Sequence, residues 1–555
     1  MLRPEHLLRY DKLAAWLTDH PISFTVAICG IWILAGLIGH DPWKPDEAQT
    51  FGAVYRLLET GSWIVPLLAG EPYLERPPLA YLVAAAAAVM FSPLLALHDA
   101  ARLATGLWMA LVIFVTAHTA RELFGGNRNW LAGLMLLGCG GLLLRGHQLT
   151  SDVALLSGIA IGLYGLAVAP RRPHVAGLWL GVGVSVAILS SGLFEPLMLV
   201  LTALGMVIVS PLYRTPAFAR CVGVALLIAV PASLIWPLLL HAQSPELFSE
   251  WFWVENLARI ADLFRLSLRE DYFYYLSILP WFAWPVWPFA MWSLWVAGRD
   301  GLSRREVQLP VVAFVVFFLF LSLAGEARDI HGLPLLLPLA LLASMAFSQL
   351  PRGALNAYYW FTIMVATFFC LVAWLYFSAV EWGVPRRLAD RMLDMQPAYV
   401  PQVHPLIVVL ALLFTLAWLV LAFNVKRTPE RPVILWAAGL TTVWTLVALL
   451  LVNWIDTGKT YRAVAAELAA ALPAERGCIF SQGLGESQRA TFDYFSQITT
   501  LRLEKPGERP QCDWLITQDN WNQLQVVGVP WELVWEGRRP GDRQERYRLY
   551  RRLPS

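Results

Sequence analysis

The sequence predicts a polytopic α-helical membrane protein ending in a small α/β domain. Three observations predict it: an apolar composition, repeated apolar runs with basic residues in alternate connections, and a change to mixed polar sequence after Trp454. The chain has 555 residues, 57% of them hydrophobic and 15% charged, whereas soluble domains carry about a quarter charged residues. Its 26 tryptophans suit repeated passage through the membrane interface, where indole rings settle. A net charge of +2 gives no support to a nucleic-acid partner. The start, MLRPEHLLRYDKLAAWLTDH, lacks a short apolar core with a small-residue cleavage site, so the first apolar run reads as a retained helix.

A spanning helix needs about 20 apolar residues. Fourteen runs qualify: 22–40, 79–97, 101–120, 129–145, 152–169, 175–190, 193–210, 219–240, 273–297, 309–324, 332–349, 356–380, 403–424 and 433–453. Cytoplasmic connections carry the excess of Lys and Arg. That rule puts the N-terminal Arg3, Arg9 and Lys12 inside. It does the same for the loops with Arg121 and Arg128, Arg171 and Arg172, Arg214 and Arg220, Arg299, Arg304 and Arg305, and Lys426, Arg427 and Arg431. The acid-bearing loops 41–78, 241–272 and 381–402 belong outside. Only one full crossing then fits between 41–78 and 121–128, so 79–97 is expected to be an embedded or interfacial hairpin. The alternative is that 79–97 spans and another run does not. About 13 crossings result, with the C-terminus outside and Asp152 on the same outer surface as Asp46.

Two parts follow: a membrane domain over 1–455, with 41–78 as its first outer loop, and an outer α/β domain over 456–555. In the latter, TYRAVAAELAAALP reads as an amphipathic helix. CIFSQ, TTLRLE, CDWLITQ, WELVWEG and RYRLYRR read as short strands. Cys29, Cys139, Cys221 and Cys370 lie in apolar runs as small core residues. Cys478 and Cys512 are the only cysteines of the outer domain, each at the start of an expected strand, in a compartment that oxidises thiols. They are expected to form a disulfide; two buried free thiols are the alternative.

The chemistry-bearing residues cluster in the outer connections. Asp46 and Glu47 follow Pro45 and open a helical pattern. Asp46 with Gln49 three residues on is a capping-box pattern; the same carboxylates also suit a general base or an acceptor-binding role. Tyr73-Leu74-Glu75-Arg76-Pro77-Pro78 fixes extended backbone ahead of the membrane. There Arg76 reads either as a snorkelling side chain or as a fork matched to phosphate oxygens. In His147-Gln148-Leu149-Thr150-Ser151-Asp152, Ser151 or Asp152 suits a helix cap as well as a site. The stretch 251–282 mixes aromatics with Glu255, Asn256, Arg259, Arg265 and Arg269; it reads as an interfacial helix or a phosphate-holding one. Gly325-Glu326-Ala327-Arg328-Asp329-Ile330-His331 is a short outer loop. Gly177 and Gly181 suit helix packing. No P-loop, dinucleotide fingerprint or His-Glu-x-x-His occurs, which leaves an ATP-driven pump or a zinc protease unsupported.

Taken in order, the outer Asp46-Glu47, then Gly61-Ser62-Trp63-Ile64-Val65-Pro66, then Tyr73-Leu74-Glu75-Arg76-Pro77-Pro78-Leu79, then Asp152 resemble the GT-C membrane glycosyltransferases. The likeness is nearest to the aminoarabinose (4-amino-4-deoxy-L-arabinose) transferases of Gram-negative bacteria. It continues through Trp253-Val254-Glu255-Asn256 and Arg259, Leu279-Pro280-Trp281 and Leu333-Pro334-Leu335-Leu336-Leu337-Pro338. This resemblance implies a bacterial inner-membrane enzyme with an undecaprenyl-phosphate sugar donor, transferring at the periplasmic face with inversion, best to lipid A. It implies catalytic roles for Asp46, Asp152 and the neighbouring Glu47. Donor-phosphate roles fall to Arg76, Arg259 and Arg328, with Tyr73, Glu75, Glu255 and Asn256 lining the site. It allows a divalent metal at Glu75, for which the sequence offers no clear histidine partner; no other cofactor is expected. Arg76 stands where the family has Lys, and Ser190-Ser191-Gly192 where Lys-Gly is common, so this is a divergent sequence. A protein or other glycan acceptor is the alternative within the class. A lipid-linked-sugar transporter is the alternative outside it, but the charged midplane residues and broken repeated halves of transporters are not evident.

Overall fold

The computed structural model describes residues 21–126, 129–263, 272–425, 427–504, 511–520, 530–540, 542 and 544–553. Arg3, Arg9, Lys12, Arg128, Arg265, Arg269 and Lys426 lie outside the described residues. Among them, 8 helices are long and apolar enough to cross a membrane: Leu97–Phe124, Ser151–Val168, Pro173–Ser191, Pro216–Gln243, Arg305–Leu323, Arg352–Trp382, Pro405–Asn424 and Arg431–Leu450.

The other expected runs are short or broken. Pro21–Leu34 has 14 residues, and Leu79–Phe91 and Leu197–Val209 have 13 each. At 1.5 Å per residue, 13 residues span about 20 Å, against a hydrocarbon core of about 30 Å. That length suits the hairpin expected of 79–97, which turns after Phe91 and returns as Leu97–Phe124. The run at 129–145 splits into Trp130–Leu137 and Gly140–Arg145, with Cys139 extended between them. The run at 273–297 splits into Tyr274–Phe282 and Val286–Gly301 around Pro285, a residue that removes a helical donor. The run at 332–349 begins as a 3-10 turn, Ile330–Leu335, containing Pro334. Several apolar runs are thus broken into shorter helices, because proline and extended joints interrupt runs whose hydropathy continues.

Small residues draw the helices together. A Cβ on Gly158 would lie 2.9 Å from the Gly183 carbonyl and one on Gly165 2.6 Å from the Leu180 amide. Ser151–Val168 and Pro173–Ser191 are therefore packed backbone to backbone. Gly177 and Gly181 do the same against Pro216–Gln243, as their spacing predicted. Ser151–Val168, 94% buried over its apolar window, becomes the rigid central post that carries Asp152 in its first turn.

The C-terminal domain holds a five-stranded sheet in the order Leu501–Arg502, Ile479–Gln482, Trp514–Asn520, Glu545–Arg552, Trp531–Gly537. The first three strands are parallel and the last two join antiparallel. All five expected strands are present, as is the helix Arg462–Ala471. Cys478 and Cys512 form a disulfide across the entry of two neighbouring strands, with Cα atoms 5.0 Å apart. A second helix, Glu486–Ser496, was not anticipated.

That helix docks on Asp46–Thr60 of the first outer loop. A Cβ on Gly52 would lie 2.6 Å from the Ala490 methyl, and Phe51 and Tyr494 meet edge to face at 4.7 Å. Arg56 pairs with Asp493, and Lys44 with Glu545. Glu71, on the two-strand hairpin Leu67–Leu68/Glu71–Pro72, takes Arg489 at 3.1 Å and Arg502 at 2.8 Å.

Candidate active site

Asp46 and Glu47 are adjacent in sequence, and the helix sends their side chains in different directions, about 100° apart at 3.6 residues per turn. The capping role expected of Asp46 is not seen: Pro45 occupies the N-cap and no side chain caps the helix. Instead the Asp46 carboxylate pairs with Arg328 and with Arg145, the latter at 3.4 Å. Arg145 also donates to Asp329 at 2.8 and 3.1 Å and to Gln148 at 3.1 Å. Arg328 remains 31% exposed.

Glu47 turns inward and is 1% exposed. It accepts from Arg102 at 2.6 Å, the Trp43 amide at 3.1 Å and the Leu149 amide at 3.3 Å. Burial alone would raise its pKa, but Arg102 outweighs that and holds it below the usual carboxylate range. With its acceptors filled, Glu47 ties the loop to helix Leu97–Phe124. The catalytic role expected of it is not supported; its place is structural.

A second cluster forms where Arg76 meets the starts of two helices. Arg76 is buried and donates to Ser191 Oγ at 2.5 Å and to Glu195 Oε1 at 3.2 Å, with Asp152 at 3.6 Å. Arg259 donates to that same Glu195 oxygen at 2.9 Å and lies over the Phe194 ring at 4.8 Å. Burial would raise the Glu195 pKa, but Arg76 and Arg259 bring it down to about 2. Burial works against the Arg76 charge, and Asp152 and Glu195 more than restore it.

The local turn is built for this. Gly192 has φ +90, and a Cβ there would sit 2.5 Å from Asn256 Oδ1. Asn256 accepts from the Leu193 amide at 2.6 Å and donates to the Trp251 carbonyl at 2.8 Å. It is fully enclosed and anchors the turn that presents Glu195, without lining the site itself. Tyr73 is likewise buried and donates to Glu75 at 2.7 Å.

Beside this cluster is a cavity of about 330 Å³ lined by Glu75, Arg76, Glu195, Glu255, Arg259 and His331, among others. Burial and the charge of Glu75 push the Glu255 pKa up. His331 also lines a small cleft with Asp152 and Glu195. Among the described residues, no three His, Cys, Asp or Glu side chains gather as a metal site would require. Tyr73 donates to one oxygen of Glu75, and Glu75 shares the cavity with a single histidine, His331.

Arg145, Glu195 and His331 were not singled out from the sequence as site residues. Glu195 was the most legible of them, a lone carboxylate in SSGLFEPL at the start of the apolar run 193–210. Its partners, Arg76 and Arg259, stand 119 and 64 residues away, so the cluster itself exists only in the fold.

Together these observations describe a polytopic helical membrane protein with a cleft of paired arginines and carboxylates and a small C-terminal sheet domain. No protein-family model matches the chain. It is 28% identical over 432 residues to the undecaprenyl phosphate-alpha-4-amino-4-deoxy-L-arabinose arabinosyl transferase 1 of Pseudomonas fluorescens Pf-5, covering 76% of this chain and 73% of that protein. It is 28% identical over 447 residues to the corresponding transferase of Pseudomonas paraeruginosa PA7, covering 77% and 75%. The structure superposes on crystal structures of ArnT from Cupriavidus metallidurans. The apo form gives a TM-score of 0.69 at 17% identity and the form bound to undecaprenyl phosphate 0.68 at 18%; each covers 96% of this chain and 98% of that one. The chain thus has the ArnT fold, and its curated relatives are lipid-linked arabinosyltransferases.

Proposed function

We propose that this protein moves a sugar from an undecaprenyl-phosphate donor to an acceptor at the periplasmic side of a bacterial inner membrane. The best reading is an aminoarabinose-like sugar delivered to lipid A. The observation that carries it is the cavity that partly exposed Arg259 faces, shared with Glu75, Arg76, Glu195 and Glu255, with Asp152 paired to Arg76 in the adjoining cleft and Asp46 paired to Arg328 close by. Curated relatives named for this transfer supply the substrate class.

Chemically, the bond between the anomeric carbon and the phosphate oxygen breaks, and charge grows on the departing phosphate. Fixed guanidinium groups at its position stabilise that charge without reorganising. Arg259 is the better placed ligand, because Arg76 is buried between Asp152 and Glu195 and acts by holding the acids and its neighbour in place. For a hydroxyl acceptor, Asp46 takes the proton on the face opposite the leaving group. For a lipid A phosphate no strong base is needed, and Asp46 with Arg145 and Arg328 orients the acceptor.

The orientation rests on charge and on the disulfide. Helix Leu97–Phe124 carries Arg102, bound to Glu47, near one end and Glu122 twenty residues later, about 30 Å along. At the Glu122 end, Arg171, Arg172 and Arg305 converge, as befits a cytoplasmic face. The Glu47 end is shared with the disulfide-bearing domain, which suits an oxidising compartment.

The test is reconstitution with a synthetic undecaprenyl-phosphate aminoarabinose donor and lipid A, with mass spectrometry of the product. Sugar-bearing lipid A from wild type and none from Asp46→Asn is expected. A wild-type protein that binds undecaprenyl phosphate yet modifies only a protein or other glycan favours the alternative acceptor; one that does not bind it at all overturns the reading.

A further inference from the structure

Glu195 is 4% exposed, lines both the cavity and the small cleft beside Asp152, and has its two oxygens in unlike situations. Oε1 accepts from Arg76 at 3.2 Å and from Arg259 at 2.9 Å. Oε2 is buried and has no hydrogen-bond partner. A buried carboxylate oxygen without a donor costs about 1–3 kcal/mol or more. Such an atom at a cavity wall is a place where a ligand's O–H or N–H restores the missing bond.

Resting on the donor reading above, we propose that Glu195 positions the donor: Oε1, held by Arg76, sets the aim of Arg259 toward the lipid phosphate, and Oε2 accepts a hydrogen bond from the sugar that the phosphate carries. One side chain then reads both halves of the donor. The two arginines share one oxygen, so neither can swing without disturbing the other. The turn Gly192–Leu193, locked by Asn256, fixes where that oxygen stands. The charge of Glu195 is retained through the physiological range, since the arginines bring its pKa down to about 2.

Two variants and two ligands separate the roles. Glu195→Gln preserves shape and keeps one carbonyl oxygen for the arginines, but turns the free edge into a donor. It is expected to bind undecaprenyl phosphate within about twofold of wild type while raising KM for the sugar-bearing donor roughly tenfold, the loss of one charge-assisted hydrogen bond. Glu195→Ala removes both functions and is expected to weaken both ligands roughly tenfold or more. In an Arg259→Ala background the Glu195→Ala effect on undecaprenyl phosphate is expected to shrink severalfold, because the residue it aims is gone. If Glu195→Ala does not fold, the Gln variant carries the test alone. Equal weakening of both ligands by Glu195→Gln, or no change in either variant, overturns the proposal. Wild type that fails to bind undecaprenyl phosphate overturns the donor reading instead.

Discussion

Two regions of this molecule are rich in arginine–carboxylate pairs, and they differ in what surrounds them. At the seam between the first loop and the C-terminal domain, Asp41, Glu47, Glu71 and Asp493 are each paired with arginine: Asp41 with Arg462, Glu47 with Arg102, Glu71 with Arg489 and Arg502, and Asp493 with Arg56. In the cleft, Arg259 and Arg328 keep about a third of their surface open, Glu195 has a free oxygen, and a cavity lies alongside. Ion-pair count does not distinguish the two; incomplete satisfaction next to empty volume does. Asp46 and Glu47 make the contrast at neighbouring positions, one facing each region.

The sharpest test of that contrast uses this pair. Asp46→Asn is expected to lower transfer by about 10²–10⁴-fold with normal yield and thermal stability, whereas Glu47→Ala takes from buried Arg102 one of its two carboxylate partners, Asp99 remaining at 2.7 Å, and costs about 1–3 kcal/mol of stability. Thermal unfolding and turnover of both purified variants decide it; a stable, inactive Glu47→Ala would break the division. At the seam, Cys478→Ser with Cys512→Ser opens a bridge of sequence separation 34, worth about 3–4 kcal/mol in the chain-entropy model. Unfolding of the outer domain is expected to move down while donor binding at the cleft stays near wild type. Arg259→Ala is expected to weaken undecaprenyl phosphate by about 1.5–3 kcal/mol without lowering the melting temperature; lost stability with unchanged affinity would return Arg259 to the structural class. The smallest effect concerns Asp456. Burial and the nearby Asp41 charge push its pKa from 3.8 to about 6. The folded state therefore binds its proton more tightly than the unfolded state, and stability falls as pH rises between those values. Asp456→Asn keeps an acceptor for Trp43 Nε1 and is expected to add about 1–2 kcal/mol above pH about 6, a gain that vanishes below pH about 4. A gain of equal size at low pH would show that charge is not its cause.

Much of this was legible in the chain. Strand positions in the C-terminal domain followed from period-two patterning, and the Cys478–Cys512 pair from compartment and count. Gly177 and Gly181 were read as packing positions and are. The interruptions within the apolar runs were not legible, because hydropathy does not register the break at Cys139 or the prolines at 285 and 334. Asp46 and Glu47 could not be told apart, because their roles depend on Arg328, 282 residues away, and on Arg102, 55 away. The docking helix Glu486–Ser496 was missed for a related reason: its apolar face, Ala490 and Tyr494, is too small to stand out until Gly52 makes room for it.

The docking of that helix has a consequence for how the enzyme comes into being. The segment bearing Asp46 emerges early in synthesis, yet the residues that grip it, Asp493 for Arg56 and Glu545 for Lys44, lie 437 and 501 positions later. Glu47 already ties the loop to Leu97–Phe124, but the face that meets Glu486–Ser496 finds its partners only when nearly the whole polypeptide has been made. In an unfinished chain that face stays uncovered.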